Sequence, residues 1–341
     1  MPNYIYVSLQ GDDRVLIFTS NPVSGLLTAK GEVQVSGGPA PMAIGPQRRS
    51  VYVGRRGSKQ ISSFAVDQTT GGLTMSGTVD LETDPCYLST DHKGRFVLAA
   101  YYEGARVTVH PVGTSGAVGQ PPVVQRPTFR GAHCFQTDPT NHYAFVPHIA
   151  GRGPNLILQF KFDEATGQIT PNNPDRVSPD EPVGPRHYCF HPRLHVLYFT
   201  NEQGCSVSAY NLNTANGTLK SFQTISTLPA GFQGQNTCAQ IQITPDGKFL
   251  YAPNRGHDSI AGFSIDPASG RLTSLGHTPA ERVPRVLSLD PQGKFLYSAG
   301  LESGKLAAYR VDQNTGKLDR IHTYDVGQRP MWVLATRLGE G

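Results

Sequence analysis

The chain has 341 residues, a formal net charge of +4 and 16% charged residues, and its lysines and arginines never run longer than two. This mild and dispersed charge argues against a nucleic-acid partner. No apolar stretch approaches the roughly 18 residues of a membrane span, so no membrane association is expected. The start of the chain lacks the basic and apolar regions of a signal peptide, which makes the cytoplasm the expected location.

The cysteines are five in number, and no C-x-x-C spacing occurs among them. They are Cys86, Cys134, Cys189, Cys205 and Cys238. An odd count without paired spacing indicates neither a disulfide framework nor a zinc ribbon, so free thiols are expected. The glycine-rich turns follow no phosphate-loop pattern, and no G-x-S-x-G motif of a serine hydrolase is present. We expect no metal and no cofactor.

A turn built from a small residue, a glycine and a hydrophobic residue recurs seven times, with 44 to 53 positions between successive glycines. The turns are Ser24-Gly25-Leu26, Gly71-Gly72-Leu73, Ser115-Gly116-Ala117, Thr166-Gly167-Gln168-Ile169, Asn216-Gly217-Thr218-Leu219, Ser269-Gly270-Arg271-Leu272 and Thr315-Gly316-Lys317-Leu318. A repeat of this size with alternating β-branched and aromatic residues is typical of a β-propeller. The seven units occupy residues 1–341, which predicts a single propeller domain.

The repeats can be followed in chain order as strands. The N-terminal Tyr4-Ile5-Tyr6-Val7 matches the second strand of a unit, and Met331-Trp332-Val333-Leu334 matches a first strand at the opposite end. Six further first strands open near Met42, Cys86, His133, His187, Cys238 and Val286. We therefore predict an all-β, seven-bladed propeller with four antiparallel strands per blade, closed by pairing of the N- and C-terminal strands. The segment 170–186 is predicted to be an elaborated loop between blades.

The same repeat predicts where functional side chains converge. The first two strands of a blade are antiparallel, so the start of the first and the end of the second lie at the same mouth of the channel. The ends of the second strands supply Gln10, Arg56, Tyr102, His148, Glu202, Arg255 and Leu301. The starts of the first strands add His133, Arg186, His187, Arg285 and Arg329.

This set of side chains indicates an anionic small molecule as the ligand. Guanidinium groups bind carboxylate or phosphate in bidentate fashion. The single carboxylate of Glu202 does not neutralise several of them, so the site keeps a net positive charge. Histidine exchanges protons near neutral pH, and Glu202 could act as a base or orient a histidine. His187 and His191 are spaced i, i+4, but a strand followed by a turn does not bring both rings to one metal. The alternative is that these arginines only bond to loop carbonyls.

Several of these segments resemble the seven-bladed β-propeller lactonase family, which includes a bacterial 6-phosphogluconolactonase and the fungal carboxy-muconate lactonizing enzymes. The segments are Val51-Tyr52-Val53-Gly54-Arg55-Arg56, Ser89-Thr90-Asp91-His92-Lys93-Gly94, Gly131-Ala132-His133, Gly184-Pro185-Arg186-His187, Phe190-His191-Pro192, Thr200-Asn201-Glu202, Ile243-Thr244-Pro245-Asp246-Gly247, Asn254-Arg255, Pro284-Arg285 and Val326-Gly327-Gln328-Arg329-Pro330-Met331-Trp332-Val333. The resemblance covers almost the whole chain. It implies a propeller fold and a site that needs no metal.

The resemblance also implies a catalytic set of one histidine, two arginines and a glutamate. By local motif these are His133, Arg186, Glu202 and Arg255. The remaining residues at the strand ends are expected to bind substrate, namely Arg56, Tyr102, His148, His187, Arg285 and Arg329. Which of His133 and Glu202 is the base stays open at this point.

Three functions are compatible with this pattern. The first is hydrolysis of an anionic sugar lactone, 6-phosphogluconolactone to 6-phosphogluconate, by a monomer or weak homo-oligomer. The second is a muconate-type lactonizing enzyme or another lactone hydrolase, because the same arginines would bind carboxylates. The third is a propeller without catalysis that binds a ligand or a protein, since the fold hosts many functions.

Overall fold

A computed structural model describes residues 3–339 of the chain. In this range the chain forms 28 β-strands. The strands, numbered in chain order, are β1 (Asn3–Leu9), β2 (Arg14–Ser20), β3 (Leu27–Gln34), β4 (Pro39–Ile44), β5 (Ser50–Arg55), β6 (Gln60–Val66), β7 (Leu73–Asp80), β8 (Tyr87–Thr90), β9 (Phe96–Tyr101), β10 (Arg106–Pro111), β11 (Val124–Pro127), β12 (Gln136–Thr137), β13 (Tyr143–His148), β14 (Leu156–Phe162), β15 (Ile169–Val177), β16 (Pro185–Phe190), β17 (Val196–Asn201), β18 (Ser206–Asn213), β19 (Thr218–Ser226), β20 (Gln242–Ile243), β21 (Phe249–Asn254), β22 (Ser259–Ile265), β23 (Leu272–Pro279), β24 (Pro284–Leu289), β25 (Phe295–Gly300), β26 (Lys305–Val311), β27 (Leu318–Asp325) and β28 (Pro330–Arg337).

The strands form seven four-stranded antiparallel sheets, which are the blades of a propeller. Blade 1 contains β28, β1, β2 and β3, and blades 2 to 7 take β4 to β27 in consecutive groups of four. In blade 1 the C-terminal strand is innermost and pairs with the N-terminal strand, with Val7 opposite Val333. The predicted seven blades, their four strands and the closure of the ends are therefore confirmed. No helix within residues 3–339 has the length and apolar character needed to cross a membrane.

Burial follows the position of a strand within its blade. The second strand β17 is buried at every residue, whereas the outer strand β3 is mostly exposed. The inner strands β12 and β20 are only two residues long, and each is preceded by an isolated bridge, Ala132 to His148 and Cys238 to Asn254. His133 therefore lies on the bridged segment just ahead of β12, where the chain approaches the channel.

The repeated glycine turns make hydrogen bonds between adjacent blades. The turn joins the third and fourth strands of a blade, and its glycine carbonyl accepts a hydrogen bond from a buried tyrosine in the second strand of the preceding blade. These bonds, 2.7 to 3.0 Å long, run from Tyr6 to Gly71, Tyr52 to Gly116, Tyr198 to Gly270, Tyr251 to Gly316 and Tyr297 to Gly25. The spacing that the sequence repeats is thus the spacing of interblade contacts.

Gly316→Ala is expected to destabilise the fold by about 3 kcal/mol. Gly316 has a φ of +71°, where a Cβ is strained, and an added Cβ would overlap the ring of Phe249 in the neighbouring blade. Gly231→Ala is the matched control, because Gly231 has a φ of +80° and nothing within 4 Å of its Cβ position. Urea unfolding should show a clearly larger loss for Gly316→Ala, and equal losses would mean that the blade contact contributes nothing.

The prediction of a loop over 170–186 is wrong for its first half. Ile169–Val177 forms β15, the outer strand of blade 4, with a break in register opposite Leu158 and Phe160. Proline lacks the N–H that a central strand must donate, but an edge strand tolerates it because one side of that strand faces solvent. Because of Pro171 and Pro174, the sequence of this strand resembles that of a loop. Only the residues after Val177 connect blade 4 to blade 5.

Candidate active site

One pocket is lined by residues from six of the seven blades, near the starts of their inner strands. The lining residues are Ala40, Pro41, Arg56, Cys86, His133, Arg186, His187, Arg285, Val286, Met331 and Trp332. Because inner strands from opposite sides of the ring meet only at the propeller axis, this pocket lies at a mouth of the central channel. Four of the predicted arginine and histidine positions from the first strands come together here, namely His133, Arg186, His187 and Arg285.

A buried ion triad underlies the pocket. Arg186 donates from Nε to Glu202 Oε2 at 2.6 Å, and Arg255 places Nη2 at 3.1 Å from the same oxygen. Arg186 is only 2% exposed, which makes it one of the largest fully buried side chains. Burial raises the pKa of Glu202, but the charges of Arg186 and Arg255 outweigh that effect and hold its pKa below the ordinary value. Glu202 is therefore an ionised carboxylate at neutral pH.

The triad leaves donors unused. Arg186 Nη1 and Arg255 Nε are buried and have no hydrogen-bond partner within residues 3–339. Burial lowers the pKa of Arg186 to about 10, so the guanidinium still carries its charge at neutral pH. A buried donor without a partner is costly in a folded protein. An oxyanion bound beside Arg186 would supply the missing acceptor.

Two further arginines add charge to the pocket. Arg56 Nε donates to Asp84 Oδ2 at 2.9 Å, whereas Arg285 makes no ion pair with any residue between 3 and 339. Burial and the neighbouring arginines lower the pKa of Arg285 well below its ordinary value. Four guanidinium groups thus face two carboxylates, and the protein does not neutralise the remaining positive charge itself.

A pair of histidines, His133 and His187, also lines the pocket. His187 Nε2 lies 3.2 Å from His133 Nδ1, and both rings are buried. Burial and the charge of Arg186 lower the pKa of both histidines well below 6.5, so both are neutral at pH 7. The contact between the two rings uses His133 Nδ1, so Nε2 is the nitrogen of His133 that is left for a ligand. It is therefore available to exchange a proton with a ligand.

Aromatic rings hold this histidine pair in place. Tyr102 meets the ring of His133 edge-on at 5.8 Å between centroids. Tyr87 meets His187 in the same way at 5.0 Å, and Trp332 lies 6.1 Å from His187. Edge-to-face packing restricts ring rotation. His187 is therefore oriented by the inner strands of blades 1 and 3, and His133 by the residue that follows the second strand of blade 3.

The comparison with known proteins identifies the family. The sequence profile described as "Lactonase, 7-bladed beta-propeller" matches residues 12–335. This chain belongs to the seven-bladed β-propeller lactonases. The resemblance noted in the sequence is thereby confirmed, and the protein is an enzyme of the hydrolase class.

Relatives of this lactonase match it over their full length. A 6-phosphogluconolactonase of Pectobacterium carotovorum subsp. carotovorum is 37% identical over 333 residues, which cover 98% of each protein. A 6-phosphogluconolactonase of Yersinia pestis is 35% identical over 335 residues, again 98% of each. The periplasmic gluconolactonase of Pseudomonas aeruginosa superposes with a TM-score of 0.90 at 24% identity, covering 99% of this chain and 100% of that one. At that identity the likeness concerns the fold.

Three of the predicted substrate-binding residues of the lactonase, Tyr102, His148 and Arg329, are not among the residues that line the pocket. Tyr102 still packs on His133, whereas His148 and Arg329 lie apart. His148 is fully buried, with Nδ1 bonded to the Val146 carbonyl at 3.0 Å and Nε2 facing the amide of Phe129 at 3.4 Å. Both of its nitrogens are therefore engaged by the backbone. Arg329 is exposed and lines a separate surface groove together with Leu301. Neither residue is brought together with the arginine and histidine cluster.

Several residues in or beside the pocket were not predicted to be functional, and Asp84 was assigned a structural role only. Asp84 belongs to a blade turn by its sequence context, yet it pairs with Arg56 at the pocket. Its position two residues before Cys86, at the start of a first strand, was the available signal. Trp332 and Met331 carried a signal as well, because Pro-Met-Trp-Val opens the innermost strand of blade 1. Cys86 Sγ bonds to the carbonyls of Ala100 and Ala132, which ties it to the wall of the pocket.

Proposed function

We propose that this lactonase hydrolyses 6-phosphogluconolactone to 6-phosphogluconate in the pocket at the channel mouth. The arginine cluster carries the proposal, because four guanidinium groups face only two carboxylates there. A phosphorylated lactone brings the negative charge that the cluster lacks. The names of the full-length relatives support the same substrate.

In this proposal the arginines divide two tasks. Arg285 and Arg56 bind the phosphate, since Arg285 has no acidic partner of its own within the described chain. Arg186 directs its unused Nη1 to the lactone carbonyl oxygen, where negative charge develops as the tetrahedral intermediate forms. Glu202 positions Arg186 and Arg255 rather than moving protons, because its Oε2 is held by both guanidinium groups.

His133 is the base in the proposed reaction. In the tautomer that this role requires, His133 Nδ1–H donates to His187 Nε2, 3.2 Å away, and a lone pair on His133 Nε2 stays available for a water molecule. Water attacks the carbonyl carbon while its proton moves to His133 Nε2. When the intermediate collapses, the bond between the carbonyl carbon and the ring oxygen breaks, and the proton passes from Nε2 to the leaving oxygen. The imidazole is then neutral again.

The pH dependence follows from the sign of the shift at His133. The neutral imidazole is the active form, and a pKa below 6.5 keeps it neutral in mildly acidic buffer. After subtraction of spontaneous hydrolysis, kcat/KM should stay level from about pH 8 down to pH 6.5 and fall only at lower pH. An acid limb centred at or above 6.5 would contradict this assignment.

The decisive assay is hydrolysis of freshly generated 6-phosphogluconolactone, read through a coupled dehydrogenase. The wild type should exceed the spontaneous rate, and His133→Gln should lose about a hundredfold or more in kcat/KM. His142→Gln is the matched control, because His142 is an exposed histidine on the same blade. Turnover of muconolactones but not of the phosphorylated lactone would assign the pocket to muconate-type chemistry. Wild-type turnover in His133→Gln would remove His133 as the base.

A further inference from the structure

Two cysteines lie next to each other behind the active-site carboxylate, one on blade 5 and one on blade 6. Cys205 is in the turn between β17 and β18, and Cys238 is on the bridged segment ahead of β20. Asn236 Nδ2 lies 3.3 Å from Cys205 Sγ and 3.0 Å from Asn254 Oδ1, and Cys238 Sγ lies 3.6 Å from that same oxygen. Thr227 links the two residues as well, because its Oγ1 lies 3.0 Å from Cys238 Sγ and its amide donates to the Cys205 carbonyl at 2.9 Å.

The backbone around these thiols supports the ion triad directly. The amide of Cys238 donates to the carbonyl of Glu202 at 3.1 Å. The carbonyl of Cys238 accepts from Arg255 Nη2 at 2.8 Å, the same nitrogen that contacts Glu202 Oε2 at 3.1 Å. Cys205 follows Glu202 by three residues in the same turn. Any movement of the cysteine backbones is therefore transmitted to Glu202 and Arg255.

The two thiols differ in reactivity. Hydrogen bonds from Cys238 and Asn236, together with the charge of Arg255, lower the pKa of Cys205. Cys205 is also half-buried, whereas Cys238 is fully buried. An accessible thiol with a low pKa is the form that reacts with peroxides. A protonated neighbouring thiol is then placed to resolve the product.

The other cysteines lack this arrangement. Burial raises the pKa of Cys86, Cys134 and Cys189, and all five cysteines are free thiols. A thiol whose pKa is raised carries little thiolate and reacts slowly with oxidants, and this holds also for Cys189, which is partly exposed. Oxidation of the native protein is therefore directed to a single pair.

We propose that Cys205 and Cys238 form a modification site at which a hydroperoxide generates a disulfide and thereby lowers the activity of the pocket. The Cys205 thiolate attacks one peroxide oxygen and the O–O bond breaks, which oxidises the sulfur to sulfenic acid and releases hydroxide or, after protonation, water. The thiol of Cys238 then attacks the sulfenic sulfur, the S–O bond breaks, and a second water leaves with the proton. Two thiols and one hydrogen peroxide thus give one disulfide and two waters.

The disulfide has a mechanical consequence at the triad. A disulfide holds its sulfurs at about 2 Å, closer than two unbonded sulfur atoms can approach, so both cysteines must shift toward each other. The shift removes Cys205 Sγ as a partner of Asn236 and displaces the Cys238 carbonyl that anchors Arg255. Displacement of a positioned group by a fraction of an ångström is enough to lower a rate by about tenfold. This part of the inference rests on the proposed function, whereas formation of the disulfide does not.

The test treats the full-length protein with hydrogen peroxide at neutral pH and alkylates the remaining thiols. Peptide mass spectrometry should show Cys205 linked to Cys238 with the loss of two hydrogen atoms, and kcat/KM should fall about tenfold and return with dithiothreitol. In Cys238→Ser, dimedone should trap a sulfenic acid at Cys205. In Cys205→Ser, Cys238 should remain alkylatable after denaturation, and basal activity should be retained without any response to peroxide.

The control is Cys189→Ser, which should respond to peroxide like the wild type, because Cys189 is partly exposed like Cys205 but the pKa of its thiol is raised. Two results would overturn the proposal. One is recovery of both thiols unmodified after peroxide treatment. The other is a fully formed disulfide with unchanged kcat/KM on the substrate that the enzyme turns over. If no lactone is hydrolysed at all, the proposed function fails, and the linked peptide still decides whether the modification site exists.

Discussion

Arg186→Ala is expected to lower kcat/KM for lactone hydrolysis by about a thousandfold, which is the loss typical of removing a donor that stabilises a developing oxyanion. Arg186 is the pocket residue with a buried Nη1 that has no partner within residues 3–339. Its Nε is fixed by Glu202 at 2.6 Å, so the guanidinium is held in one orientation before any ligand arrives. Such preorganisation is what makes a donor effective in a transition state.

The same substitution removes one partner of a buried ion pair, which costs about 3 to 5 kcal/mol of stability. A folded control is therefore needed. Arg186→Lys keeps a cation beside Glu202 but lacks the second arm of the guanidinium fork. It should remain folded by urea unfolding and still lose most of the activity. Full turnover in either variant, once folding is verified, would refute a role for Arg186 in the reaction.

Arg285→Leu is expected to raise the stability of the protein while it abolishes most of the activity. Arg285 lines the pocket beside Arg56 and Arg186. Burial and the charges of these two arginines and of Arg255 lower the pKa of Arg285 well below the ordinary value. A guanidinium held in that environment destabilises the fold, and its replacement by a leucine of lower polarity should gain about 1 to 2 kcal/mol. The loss of a phosphate contact should raise KM by about tenfold to a hundredfold.

Arg282→Leu is the matched control for this experiment. Arg282 lies three residues earlier, its side chain is 72% exposed, and it pairs with Glu302 at 3.0 Å. Surface pairs of this kind contribute little, so both stability and turnover should stay within experimental scatter of the wild type. If Arg285→Leu destabilises the protein, Arg285 contributes to folding and is not held in place for a ligand. If it keeps a wild-type KM, the phosphate is bound elsewhere.

The architecture was encoded in local sequence. Each glycine turn requires a positive φ, and six of the seven turn glycines lie against an aromatic residue of the preceding blade, as Gly316 does against Phe249. Such requirements act over short stretches and recur in every blade, so their period reveals the number of blades. The apolar ends Tyr4-Ile5-Tyr6-Val7 and Met331-Trp332-Val333-Leu334 likewise indicated how the ring closes. The proline-rich β15 was not predicted as a strand, because the composition of this edge strand is typical of a turn.

The active site could be predicted only in part from the sequence repeat, and the rest depended on the tertiary structure. Equivalent positions in the repeat were enough to predict that Arg186, Glu202 and Arg255 would converge. The start of β16 and the ends of β17 and β21 lie at the same mouth of the channel. The repeat could not predict the direction of each side chain. The sequence alignment of the repeats placed His148 opposite Arg255, but His148 ends β13 as Asn254 ends β21, one residue before the position of Arg255. Its ring faces Phe129 and bonds to the backbone.

What the sequence by itself determined was therefore the seven-bladed ring and the ring of strand ends around its channel, since both follow from short-range turn and strand preferences. What only the tertiary structure decided was the pairing of side chains across blades. Asp84 with Arg56, His133 with His187, and Cys205 beside Cys238 join residues that are 28, 54 and 33 positions apart. Such pairs depend on how adjacent blades pack and rotate against each other, and no single repeat contains that geometry.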